Sequence, residues 1–141
     1  MCISITPDDN CQYWKNLDEM KLSSPNYPKF YPEDGDECEW KISAQEGFII
    51  ALEFNHFDVG FGWIDAFNTF VSLYDGTCDQ TKELETLSGT MSHDDKWIIS
   101  SSGHHMFVIF SRSQYFGQSK QGFLANIHYG KKLKDIKVVH K

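Results

Sequence analysis

The chain has 141 residues, 40% of them hydrophobic and 15% aromatic, with a formal net charge of −7. That length holds one domain with one core and little beyond it, and the apolar content is enough to fold it without help. An acidic chain is repelled by polyphosphate and anionic lipid, which argues against nucleic acid as a partner, and no run of about 18 apolar residues is present to insert directly into a membrane.

In chain order, residues 1–21 are polar and irregular, and Met1-Cys2-Ile3-Ser4-Ile5-Thr6 is too short and too polar for a signal peptide. Leu22 to Tyr31 is turn-rich; Pro25, Pro28 and the following Pro32 exclude a helix and a central strand there. Cys38-Glu39-Trp40-Lys41-Ile42 alternates apolar and polar residues, as a half-buried strand does. Phe48–Phe54 and Phe70–Tyr74 are further strand candidates, the second closed by the turn signal Asp75-Gly76. Trp97–Ser100, Met106–Phe110 and Gly122–Tyr129 complete the set. Short strands separated by turns, with no convincing amphipathic helix, predict an all-β antiparallel sandwich or barrel. Two intervals break the spacing, Asp58–Asn68 and Arg112–Gln121. Long connections on a compact sandwich are often functional, because the sheets hold them still.

The segment Ser24-Pro25-Asn26-Tyr27-Pro28, then Tyr31-Pro32 and Cys38-x-Trp40-x-Ile42, is a specific signature. It is followed in order by Leu52-x-Phe54-x-x-Phe57, Val71-x-Leu73-x-Asp75-Gly76, Leu87-x-Gly89, Ser101-Ser102-Gly103, Met106-x-Val108-x-Phe110-Ser111 and Gly122-Phe123-x-Ala125. From about Cys11 to Tyr129 the sequence resembles the CUB domain family. The resemblance implies a jelly-roll-like sandwich of two antiparallel sheets, secreted or on the ectodomain of a membrane protein such as a receptor. It divides the chain into an extension (1–10), the domain (11–130) and a basic tail or linker (131–141). Trp40, Ile42, Phe54, Phe57, Val71, Leu73, Val108 and Phe110 are then expected to face inward. Pro25 and Pro28 are expected to carry the chain along a sheet edge without joining a ladder.

The same resemblance implies a Cys11–Cys38 disulfide. The family's second bridge is missing, since Ala66 and Ser88 stand at its two positions. Cys2 and Cys78 have no counterpart. An intramolecular bridge, two free thiols and pairing with another chain all remain open for them. Many CUB domains hold Ca²⁺ between two loops with three carboxylates. Those positions fall here on Gly60, Thr69 and Arg112, which offer no side chain, a neutral oxygen and a cation. Ca²⁺ needs several oxygen ligands, usually with carboxylates among them. No metal of the family type, and no cofactor, is therefore expected. Asp58 and Asp65 lie near and could restore a weak site; a guanidinium from Arg112 could instead hydrogen-bond either and tie the loops together.

The two long connections also carry aromatics: Phe61 and Trp63 in one, Tyr115 and Phe116 in the other. With Arg112 they form the expected protein-binding patch, because aromatic and arginine side chains supply most interface hot spots. The expected function is recognition of an extracellular protein. Alternatives are a glycan-binding domain using Trp63 or Tyr115 with Asn68, and a structural or self-associating domain linked through Cys2. Catalysis is not expected. No G-x-S-x-G elbow, H-E-x-x-H or phosphate loop occurs. His104-His105 and Asp94-Asp95 read as exposed turn residues, and His56 and His128 as strand-face residues.

Overall fold

A computed structural model describes residues 21–25, 27–29, 37–60, 69–92, 94–111 and 120–132. These form nine strands: β1 (Lys21–Ser23), β2 (Glu37–Ser43), β3 (Ile49–Val59), β4 (Phe70–Asp75), β5 (Lys82–Leu87), β6 (Gly89–Thr90), β7 (Trp97–Ser100), β8 (His105–Ser111) and β9 (Gly122–Gly130). One sheet runs β1-β9-β3, and the far side of β3 is shared by β7 and β6; the other runs β2-β8-β4-β5. Every described pairing is antiparallel. The expected two-sheet sandwich is the observed one.

Side chains of a strand alternate between faces, and β2 follows the rule: Cys38, Trp40 and Ile42 are buried between residues that are exposed or half-buried. β3 breaks it once. Ile50, Leu52 and Phe54 face the core, and so do Phe57 and Val59, at the opposite parity. The switch is made by an irregularity against β9 between Phe54 and His56, since one extra residue turns all later side chains to the other face. The eight residues expected to face inward all lie in the core cluster. At its centre is Phe123, whose ring packs 5.4 Å from Phe110, 5.9 Å from Trp40, 5.9 Å from Phe54 and 6.3 Å from Phe57. Aromatic pairs of this kind add about 0.5–1.5 kcal/mol each beyond the area they bury.

Three features depart from expectation. β1 lies in the segment read as turns. It pairs Leu22 with Ala125 and Ser23 with Leu124, and the Ser24 amide donates to the Phe123 carbonyl at 3.1 Å. The chain therefore joins the ladder up to the residue before Pro25, where the missing amide ends the pairing. β5, Lys-Glu-Leu-Glu-Thr-Leu, has a polar composition that conceals an edge strand. β3 also continues past Phe54, so Asp58 and Val59 belong to the sheet, opposite Thr90 and Gly89.

Candidate functional site: the rim where the long connections meet

The two long connections begin and end at one rim. The first leaves the end of β3 at Gly60, which has a positive φ of 65°, and returns at Thr69, which is fully buried. The second leaves β8 after Ser111, which lies directly opposite Phe70 of β4. It returns at Lys120 and Gln121, and both of these reach Asp58. The Lys120 Nζ is 3.3 Å from Asp58 Oδ1, and the Gln121 amide donates to Asp58 Oδ2 at 3.2 Å. The Thr90 hydroxyl also donates to Asp58 Oδ1, at 3.0 Å. Asp58 thus binds the end of one connection to the end of the other. Its described cationic partner is Lys120, a residue that sequence reasoning had not singled out.

Ser88, which stands where the family has a cysteine, closes the first connection by another route. Its hydroxyl donates to the Thr69 carbonyl at 3.0 Å and lies 3.4 Å from that of Val59. A single hydroxyl so spans both ends of the 60–69 segment. Phe61, Trp63, Asp65, Ala66, Asn68, Arg112, Tyr115 and Phe116 lie outside the described residues, as do Cys2 and Cys11. Neither Cys38 nor Cys78 is a free, titrating thiol.

Among the described residues, the positions of the family's calcium ligands do not supply its carboxylates. Gly60 has no donor side chain, Thr69 is neutral and buried, and Asp58 already receives an ammonium, an amide and a hydroxyl. Among the described residues no group of three or more His, Cys, Asp or Glu side chains could hold a metal ion.

A second polar centre lies on the outer face of the β3 sheet. Glu53 sits between two core-facing neighbours and so points outward, yet is only 1% exposed. Lys96 Nζ lies 2.8 Å from its Oε2, and His128 Nε2 lies 3.1 Å from its Oε1. Burial works against the charge on Glu53. Hydrogen bonds from Lys96 and His128, the Lys96 charge and a bond from Asn126 outweigh it and hold the carboxyl below its ordinary range. A lone glutamate inside Ile49-Ile50-Ala51-Leu52-Glu53-Phe54 was the sequence signal for this centre. His128 is on a strand face as expected, and so is His56, whose ring lies 5.6 Å from that of Tyr27.

His104 and His105 differ from expectation. Both are half-buried, and His105 opens β8 instead of lying in the turn. Their rings are 4.0 Å apart, and His105 Nδ1 is 3.0 Å from the Ser43 hydroxyl. Burial, then the neighbouring His104, lowers the pKa of His105. Asp94 and Asp95 are exposed.

The fold and its rim define a jelly-roll-like β-sandwich module. The chain belongs to the CUB domain family: the family's pattern matches residues 11–128. It is 35% identical over 89 residues to dog cubilin, covering 63% of this chain and 2% of cubilin. It is 30% identical over 139 residues to rat mannan-binding lectin serine protease 1, covering 92% of this chain and 18% of that protein. The solved CUB1-EGF-CUB2 region of human MASP-1/3 superposes with a TM-score of 0.68 at 25% identity, over 78% of this chain and 40% of the other. The chain therefore spans a small part of the curated relatives it matches. Among the described residues no helix is long and apolar enough to cross a membrane.

Proposed function

We propose that this domain is a non-catalytic extracellular module that recognises another protein through the rim, and does so without calcium. The observation that carries the reading is the Asp58 junction, where Lys120 and the Gln121 amide join the ends of both connections. In this reading protein groups supply the ordering that an ion supplies elsewhere in the family. Phe61, Trp63, Arg112, Tyr115 and Phe116 then form the contact surface, and Arg112 adds a fixed charge that favours an acidic counterpart.

Two disulfides complete the proposal, Cys11–Cys38 and Cys2–Cys78. Support comes from burial of both described cysteines and from the absence of free thiols among the described residues. Cys38 and Cys78 are also too far apart to pair with each other. Cys38 is level with Phe110 and Val71, whereas Cys78 lies beyond the opposite end of β4. An oxidising compartment follows from such a framework.

The test is a binding assay against a partner drawn from a library of secreted proteins and ectodomains, run with calcium and with a chelator. Wild type should bind equally in both. Trp63→Ala, Phe116→Ala and Arg112→Ala should each weaken binding by about tenfold or more. Unchanged affinity in all three variants would remove the patch, and loss of binding in chelator would remove the calcium independence.

A further inference from the structure

The two sheets part along one flank. There, among the described residues, β5 is the last strand of its sheet and β7 is joined to the other sheet through β3 alone. Between them lies a cleft of about 370 Å³ lined by Glu85, Leu87, Lys96, Trp97, Ile98 and Ile99. Register explains its chemistry. Leu87 is opposite Val71 and Glu85 opposite Leu73, so both share the inward face of β5. Trp97 is opposite Phe54 and Ile99 opposite Leu52, so both share the inward face of β7. The cleft is the open side of the core, where the inward-facing Leu87, Trp97 and Ile99 remain half-exposed and the exposed Glu85 joins the lining.

We propose that this cleft receives a lysine or arginine side chain from an extended segment of a partner protein. The aliphatic stem covers Leu87, Trp97 and Ile99, and the cationic head meets Glu85, with the indole face adding a cation–π contribution. Charge supports a cation as occupant. Lys96, the positive group in the lining, is committed to Glu53 at 2.8 Å. Glu85 is exposed and has no ion-pair partner among the described residues, and Asp94 and Asp95, just before Lys96, are exposed as well. An inward-facing charge on an edge strand also discourages sheet-to-sheet pairing. That role alone needs no apolar receptacle beside it. The proposal uses none of the aromatic residues assigned to the rim, and stands or falls independently of them.

The test is a nuclear magnetic resonance titration of the ¹⁵N-labelled 141-residue chain with a blocked hexapeptide of alternating valine and lysine. The same peptide with glutamate replacing lysine is the control. Shifts are expected at residues 85–87 and 96–99 and at the Trp97 indole, with none from the glutamate peptide. Glu85→Gln should weaken binding by about fivefold or more. The residue is exposed, so the fold should be kept, and an unchanged wild-type-like spectrum verifies this. Absent shifts, shifts confined to the rim, equal response to the glutamate peptide, or undiminished binding by Glu85→Gln would each overturn the proposal.

Discussion

Lys96 Nζ lies 2.8 Å from Glu53 Oε2, although Glu53 is 1% exposed and the lysine side chain 25%. A buried carboxylate that keeps its charge does so because of such a partner, and removing the partner costs more than the pair gains. Lys96→Met should therefore destabilise the domain by about 1–3 kcal/mol, less than for a wholly buried pair because Lys96 is partly solvated. Adding Glu53→Gln to Lys96→Met should recover part of the loss. Urea denaturation of both single variants and the double variant measures this coupling.

Among the described residues, two groups make stability fall toward acid. Glu53 has a folded-state pKa below its ordinary 4.5, so its contribution is complete above that value and disappears as pH falls through the lower folded value. His105 has a folded-state pKa below 6.5. The unfolded chain then takes up the proton first, and stability declines as pH drops below about 6.5. Thermal midpoints followed from pH 8 to pH 3 should show both declines. His105→Gln should remove the upper one and leave the lower in place.

Trp40 is 1% exposed, and its indole Nε1 is buried with no hydrogen-bond partner among the described residues. Trp40→Ala should cost about 3–5 kcal/mol through the cavity it leaves. Trp40→Phe should cost about 1 kcal/mol, because losing an unsatisfied donor offsets part of the lost packing. Equilibrium unfolding of the two variants separates the effects.

Much of this was readable from residue order. Trp40 and Ile42, and Val71 and Leu73, announce their burial by alternating with polar neighbours, Val108 and Phe110 lie in a continuous apolar run, and the Ser-Pro-Asn-Tyr-Pro and Cys-x-Trp pattern fixes the family. The missed elements share a physical cause. β5 is an edge strand whose glutamates and lysine mimic a loop, and β1 ends at a proline that hides the pairing before it. The rim was half legible. The connections could be located and their degenerate calcium positions read, but the Lys120–Asp58 contact depends on the register of β3 against β9, which no local pattern encodes.

Ser88 now spans Val59 and Thr69 by hydrogen bonding at a position where relatives pair two cysteines. The double change Ala66→Cys, Ser88→Cys should form the family's bridge and stabilise the domain by about 3 kcal/mol. Intact mass before and after reduction, with a denaturation curve for each form, checks both points. Ser88→Ala alone should cost about 1 kcal/mol.

In the proposed reading of the rim, protein contacts centred on Asp58 do the ordering that a divalent ion would otherwise do. Calorimetric titration of the domain with calcium chloride, alongside melting with and without chelator, tests this most directly. No binding tighter than about 100 μM and an unchanged melting temperature are predicted. Tighter binding that raises the melting temperature and vanishes in Asp58→Asn would contradict it.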